Sequence, residues 1–169
     1  MTPKRIQITG ASGSGTTTLG LALSQLLGWK QIDADDYYWL PTTPPFQEKR
    51  DSTERLKWIM KDLQSEQGAI ATGSVIGWGR ELEDAFDLIV YLHIPAEIRL
   101  QRLKDREIER HGEINPEFIE WASRFDEGDL TVRSRQLIEK WMGERQAQIL
   151  RLEGDLSVEE RVAVVLAQL

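Results

Sequence analysis

Short apolar runs alternate along the chain with segments in which apolar residues recur every three or four positions. The short runs predict buried strands, and the longer period predicts helices that bury one face. The five predicted strands are Arg5–Thr9, Lys30–Ile32, Ala69–Thr72, Leu88–Ile94 and Gln148–Leu152. Strands that alternate with helices are joined by crossovers, so the sheet is expected to be parallel. The pattern therefore predicts a single α/β domain over residues 1–169, with a five-stranded parallel sheet flanked by helices.

Polar residues mark the expected starts of several helices. One helix begins near Asp51, and another, over 115–127, opens with an Asn-Pro pair and ends before a glycine. Ser157 and Glu160 have the spacing of a capping box before the last helix. Because ligands of parallel sheets collect at the carboxyl ends of the strands, the residues that follow each strand are the candidates for a functional site.

The first predicted strand leads into a glycine-rich turn, and the turn leads into a helix. The turn and the start of the helix read Gly10-Ala11-Ser12-Gly13-Ser14-Gly15-Thr16-Thr17-Thr18. Glycines let backbone N–H groups approach phosphate oxygens closely, and the helix adds its positive end to the same anion. Thr17 stands where this motif places the hydroxyl that binds Mg²⁺. We therefore expect a phosphate-binding loop, or P-loop, that holds a nucleoside triphosphate and Mg²⁺; the residues do not distinguish ATP from other triphosphates.

Thr16 departs from this motif, which has a lysine at that position. Losing one such contact costs about 2–4 kcal/mol of transition-state stabilisation. Three interpretations remain open. Another cation, such as an arginine further along the chain, replaces the lysine; the loop binds but no longer catalyses; or the turn is glycine-rich by chance.

Two aspartates follow the second strand, at Asp33 and Asp35. In an extended segment their side chains would point to the same side. One carboxylate would then support Mg²⁺ through a water molecule, and the other would accept the proton of a substrate hydroxyl. The alternative is that both residues cap a turn or a helix.

Small residues, Gly73 and Ser74, follow the third strand, with Trp78 and Arg80 shortly after them. Small residues at a strand exit let backbone and hydroxyl groups approach a ligand, which the indole and the guanidinium would clamp. The alternative is a flexible turn beside a packed tryptophan. Trp39, which follows the aspartates, is a further residue expected to contact the substrate.

An arginine stripe follows the fourth strand. Its members are Arg99, Arg102, Arg106 and Arg110. Residues spaced by three and four share one helix face, so the stripe could bring guanidinium groups to a phosphate. Acidic residues are interleaved with it, and a solvated, ion-paired face is the alternative. Arg133 is a second candidate cation, in a segment expected to form part of a lid.

Composition narrows the classes of function. The chain has 169 residues, a formal net charge of −7 and no cysteine. The acidic balance argues against nucleic-acid binding, and the lack of cysteine excludes disulfides and cysteine-ligated zinc. Residues 1–5 lead directly into a strand, and no apolar run has membrane-spanning length. We therefore expect a cytoplasmic protein without membrane contact, either a monomer or a homodimer.

In motif order the chain resembles the nucleoside-monophosphate-kinase-like group of P-loop kinases, and within it the shikimate and gluconate kinase type. The resemblance covers nearly the whole chain and implies a three-layer P-loop NTPase fold with a helical lid over about 106–135. It implies that Asp33 supports Mg²⁺, that Asp35 binds the acceptor hydroxyl and that Arg106 reaches the phosphates. Gly73 would lie in the substrate loop, where Ser74 replaces a second glycine. The chain also resembles small bacterial proteins described as adenylate-kinase-like or AAA-type ATPases.

The favoured function is an ATP-dependent kinase that transfers a γ-phosphoryl group to a hydroxyl of a small metabolite, with Asp35, Arg106 and Arg133 as catalytic residues. A nucleoside monophosphate kinase is the first alternative, in which Arg50, Arg55 and Arg80 would be available to hold the acceptor phosphate. A nucleotide-binding regulatory module without transfer is the second, favoured by Thr16. The motifs do not identify the acceptor.

Overall fold

The structure is a computed structural model that describes residues 4–65, 67–129, 131 and 133–169. Five parallel strands form one sheet: β1 (Arg5–Gly10), β2 (Lys30–Asp33), β3 (Ala69–Thr72), β4 (Leu88–His93) and β5 (Gln148–Glu153). Their order across the sheet is β2-β3-β1-β4-β5, so β1 is central. The predicted strands are confirmed to within one residue at each end.

Eight helices lie among the described residues. They are α1 (Thr16–Leu27), α2 (Ala34–Tyr38), α3 (Ser52–Leu63), α4 (Arg80–Glu83), α5 (Ala96–His111), α6 (Pro116–Ser123), α7 (Arg135–Gly143) and α8 (Val158–Leu166). The predicted caps are confirmed: Asp51 accepts hydrogen bonds from two N–H groups of α3, and Ser157 and Glu160 form the capping box of α8. Asn115 likewise caps α6.

The predicted end of the helix over 115–127 is wrong, since α6 ends at Ser123. Beyond it the chain turns, which lets Phe125 enter the core with only 5% of its surface exposed. The Phe125 carbonyl then accepts a hydrogen bond from the N–H of Arg135, 2.9 Å away, at the start of α7. Because this carbonyl is bonded to Arg135, it does not form the hydrogen bond that would extend α6.

A hydrophobic cluster on each face of the sheet gives the three layers that the sequence predicts. On one face α1 and α8 pack against β1 and β4, with Leu23 and Val165 fully buried. On the other face α3, α4 and α7 pack against β2, β3 and β4, with Ile59 and Ile138 fully buried. In the part of the chain that the structure describes, no helix has both the length and the apolar character needed to cross a bilayer.

Strand register places the candidate site at one edge of the sheet. Asp33 pairs with Thr72, and Gly10 pairs with Leu92. The N–H of Gly73 donates to the carbonyl of Ile8, at 3.0 Å. The ends of β1, β2 and β3 therefore lie side by side, which brings the glycine-rich loop, the aspartates and the Gly73 loop together.

Candidate active site

The glycine-rich loop has the backbone geometry that its sequence predicts. Gly13 and Gly15 have φ angles of 81° and 91°, in the left-handed region that favours glycine. A Cβ atom on Gly10 would lie 2.6 Å from the carbonyl oxygen of Leu92, so β4 also requires a glycine there. Gly15 caps α1 without a side-chain hydrogen bond, which leaves the first N–H groups of the helix to an anion.

Thr17 and Asp33, the two predicted magnesium ligands, lie side by side. The Thr17 hydroxyl donates to Asp33 Oδ2 at 3.2 Å. No cluster of three or more carboxylate or histidine ligands occurs in the described ranges. A hydroxyl beside a single carboxylate suits Mg²⁺, which in nucleotide sites takes one or two protein groups and fills its shell with phosphates and water. These two residues would hold the ion, and its charge would neutralise the phosphates when it is bound.

The expectation that Asp33 and Asp35 share one side of an extended segment is wrong. The strand ends at Asp33, which caps α2, and its Oδ1 accepts a hydrogen bond from the N–H of Asp35 at 3.0 Å. Asp35 lies in the first turn of α2. One carboxylate oxygen of Asp33 therefore caps α2, and the other accepts the hydrogen bond of Thr17. The cap sets the start of α2 and with it the position of Asp35.

The charges around Asp35 favour a proton acceptor. Partial desolvation by the surrounding protein raises the pKa of Asp35, although the side chain keeps access to solvent. The Asp33 carboxylate raises this pKa further, the Arg133 guanidinium lowers it, and the Asp36 carboxylate raises it. A raised pKa makes a carboxylate a stronger base, provided that the pH keeps it ionised.

We expect the pH dependence of phosphoryl transfer to reflect the raised pKa of Asp35. The rate kcat/KM should fall on the acid side as Asp35 takes up a proton, at a pH above the ordinary aspartate range. Asp36→Asn removes a negative charge that raises the pKa of Asp35, so the acid limb should move to lower pH. The measurement is kcat/KM against pH for wild type, Asp36→Asn and Glu81→Gln, in which an exposed acid of α4 is the control. An acid limb that Asp36→Asn leaves in place would assign the titration to another group.

Trp78 and Tyr38 enclose Arg55, which the sequence analysis names only for the nucleoside monophosphate kinase alternative. The Arg55 guanidinium lies 4.2 Å from the Trp78 ring centre and 5.0 Å from that of Tyr38. Only 9% of Arg55 is exposed, and its Nε is buried without a hydrogen-bond partner in the described ranges. The sequence carried a signal, because Arg55, Ile59 and Leu63 share the buried face of α3.

Three other predicted substrate residues have structural partners. Trp39 packs edge-on against Tyr38, with ring centres 4.8 Å apart, and forms an antiparallel bridge with Lys49. Arg50 Nε donates to the Tyr37 carbonyl at 3.1 Å. Arg80 is exposed and pairs with Asp84 of its own helix at 3.0 Å, so the structure does not bring it to the aspartates. Substrate contact by these residues stays a prediction.

The Gly73 loop lies against β1. The carbonyl of Gly73 accepts a hydrogen bond from Gln7 Nε2 at 2.8 Å, and its φ is 99°. A Cβ atom there would lie 3.2 Å from the Cβ of Ala34, at the start of α2. Gly73 thus lets the loop after β3 pass close to the helix that carries Asp35. Ser74 follows it at a half-buried position.

The arginines do not form one exposed stripe. Arg99 is buried and donates to the Ser12 carbonyl at 3.2 Å and to Asp126 at 3.0 Å. Arg102 pairs with Asp155. Burial and the neighbouring Arg110 lower the pKa of Arg106, which is half-buried. The face is divided because Arg99 occupies a core position of α5, beside Leu103.

Arg133 contacts the phosphate loop. Its Nη2 donates to the Gly10 carbonyl at 3.1 Å. Burial lowers the pKa of Arg133, and the Asp35 carboxylate opposes that effect. Of the predicted lid over 106–135, Leu130 and Val132 lie outside the described residues. The gap between α6 and the loop, lined by Ser12, Trp121 and Arg133 among others, has a volume of about 10 Å³, so α6 covers the loop closely.

Comparison with known proteins agrees with this geometry. The family model described as AAA domain matches residues 6–120. The uncharacterized protein YqaC of Bacillus subtilis (strain 168) is 46% identical, with 96% of each chain covered. The shikimate kinase of Halorhodospira halophila is 29% identical, over 61% of this chain and 64% of that protein. A solved shikimate kinase from Acinetobacter baumannii, in complex with shikimate, superposes with a TM-score of 0.61 at 22% identity, covering 99% of this chain and 94% of that one. The chain therefore belongs to the AAA domain family, among the P-loop kinases of the nucleoside-monophosphate-kinase-like type.

Proposed function

We propose that the protein transfers the γ-phosphoryl group of ATP to a hydroxyl of a small metabolite that also carries an anionic group. The observation that carries this proposal is the placement of Asp35, which follows the Thr17–Asp33 pair and whose carboxylate is close enough to Asp33 and to the Arg133 guanidinium for both charges to shift its pKa. A base beside the magnesium ligands is what hydroxyl activation requires.

The residues divide the chemistry among themselves. The N–H groups of the loop would hold the β-phosphate, and Thr17 and Asp33 would hold Mg²⁺, whose charge would offset that of the phosphates. Asp35 accepts the proton of the acceptor hydroxyl as its oxygen forms a bond to the γ-phosphorus. The bond from that phosphorus to the β-bridging oxygen breaks, and ADP leaves. Arg133 stabilises the charge on the phosphoryl oxygens, since its guanidinium bonds to the Gly10 carbonyl of the loop and interacts with the charge of Asp35.

The anionic group follows from Arg55. Its guanidinium makes no ion pair with a carboxylate within the described ranges, although 91% of the residue surface is buried. A buried cation without an anionic partner is costly, and an acceptor carboxylate would supply that partner. Trp78 and Tyr38, which hold Arg55, follow β3 and β2, the strands whose ends carry Gly73 and Asp35. One of the relatives is named shikimate kinase, and shikimate is a hydroxy acid.

The test is ADP formation from MgATP with a panel of acceptors. The panel contains hydroxy acids, including shikimate and gluconate, neutral polyols of similar size, and the monophosphates AMP, CMP, UMP and GMP. We expect acceptor-dependent ADP formation with a hydroxy acid and none with its neutral counterpart. Arg55→Met should raise the acceptor KM by about 10- to 100-fold, the loss of one charged hydrogen bond, with the KM for ATP unchanged.

The other outcomes of the panel separate the alternatives. ADP formation with a nucleoside monophosphate would identify a nucleoside monophosphate kinase. MgATP binding without transfer to any acceptor class would favour the regulatory module. A nucleoside monophosphate acceptor is disfavoured because the carboxylates of Asp33 and Asp35 would repel its phosphate.

A further inference from the structure

Three arginines hold alternate carbonyl oxygens of the phosphate loop. The pairs are Arg133 Nη2 with Gly10 at 3.1 Å, Arg99 Nη1 with Ser12 at 3.2 Å, and Arg161 Nη1 with Ser14 at 2.8 Å. They come from the segment before α7, from α5 and from α8. Arg99 and Arg161 are 1% and 4% exposed, so both side chains are held against the loop by packing.

Holding a carbonyl also orients an N–H group. The carbonyl of one residue and the N–H of the next belong to the same planar unit and point in opposite directions. A guanidinium that fixes the Ser14 carbonyl therefore turns the N–H of Gly15 to the other side of the loop. The same holds for the N–H of Gly13, through Ser12, and that of Ala11, through Gly10. A hydrogen bond to the carbonyl polarises the peptide and strengthens its N–H as a donor.

Arg161 makes no ion pair with a carboxylate among the described residues. Arg99 is paired with Asp126, and Asp35 acts on Arg133. The acid that acts on Arg161, Asp155, is itself hydrogen-bonded to Arg102. In the described part of the chain, Arg161 Nε is buried without a partner, and its Nη1 bonds only to the Ser14 carbonyl. A Cβ atom on Gly15 would lie 2.9 Å from that Nη1, so this guanidinium touches the backbone where α1 begins.

We propose that Arg99 and Arg161, which lie behind the loop, with Arg161 foremost, replace the charge of the lysine that Thr16 displaces. A lysine would contact the phosphates directly, whereas these guanidiniums act from behind the loop, through the peptide units that contact the phosphates. Arg161 is thus a positioning residue for the β- and γ-phosphates. This inference rests on the proposed function, in which the loop binds ATP.

The test compares the Kd of MgATP, MgADP and AMP for wild type, Arg161→Lys and Arg161→Met by isothermal titration. Arg161→Met should weaken MgATP and MgADP by about 10- to 100-fold, as expected for one charge-assisted hydrogen bond, and AMP by less than about 3-fold. Arg161→Lys keeps the charge without the planar fork, so its Kd should lie between the two. Adding Thr16→Lys to Arg161→Met should recover most of the lost MgATP affinity.

The control is Arg145→Met, which removes another buried arginine, one that pairs with Glu83 and Asp84 instead of the loop. It should lower Tm without changing the Kd of MgATP. Wild-type MgATP affinity in Arg161→Met would overturn the inference. An equal loss of AMP and MgATP affinity that Thr16→Lys does not recover would also overturn it, because such a loss indicates collapse of the site. Failure of wild type to bind MgATP would instead overturn the proposed function.

Discussion

Asp35→Asn is expected to lower kcat for phosphoryl transfer by about 10²- to 10⁴-fold, the usual contribution of a general base. The amide has nearly the same shape but cannot accept the hydroxyl proton. The magnesium pair of Thr17 and Asp33 stays in place, so the Kd of MgATP should change by less than about 2-fold. The measurement combines acceptor-dependent ADP formation with titration of MgATP into the same preparation.

The stability of this variant supplies its control. The pKa of Asp35 is raised in the folded protein, so the folded state binds the proton more tightly than the unfolded chain does. Ionised Asp35 therefore destabilises the fold as the pH rises through that pKa, and Asp35→Asn should leave Tm at pH 7 unchanged or higher. Full transfer activity in a folded Asp35→Asn protein would show that another group takes the proton.

Gly13→Ala is expected to weaken MgATP binding by more than about 100-fold. Two effects act together at this position. Its φ of 81° costs an alanine about 1–2 kcal/mol. Its new Cβ would also lie 2.8 Å from the backbone carbonyl oxygen of Arg99, which cannot move without shifting α5. The loop would have to deform, and the N–H groups around Gly13 would no longer point together at a phosphate.

Gly28→Ala is the matched control for this substitution. Gly28 also has a positive φ, 67°, but a Cβ atom there meets nothing within 4 Å. It should lower Tm through backbone strain and leave the Kd of MgATP unchanged, because Gly28 lies at the far end of α1. Unaltered MgATP binding in Gly13→Ala would mean that the loop does not hold the phosphates in the geometry described.

Sequence reasoning predicted the sheet well because the sheet depends on local patterns. Apolar runs such as Leu88–His93 are buried over nearly their whole length, and caps such as Asp51 and Ser157 act within a few residues of themselves. The pairing of Thr17 with Asp33 was also predictable, since Thr17 ends the phosphate-loop motif and Asp33 follows the next strand along the chain.

The remaining features depend on contacts that no local pattern encodes. The five-residue helix α2 is too short for a periodic signal, so Asp35 was expected in an extended segment. Arg55, Arg99 and Arg161 each occupy a buried position on the apolar face of a helix, where periodicity analysis expects no charge. A charged residue in register with core residues marks such a position, but only the tertiary structure shows what it contacts.

The three arginines that bond to the phosphate loop also determine when in folding the loop can take its final shape. The loop occupies a short stretch near one end of the chain, yet its three arginine contacts span sequence separations of 87, 123 and 147 residues. Contacts of such separation form late, because the entropy of closing long loops must be overcome first. Nucleotide binding is therefore a property of the completely folded chain, and bound MgATP should stabilise α8 as much as the loop itself.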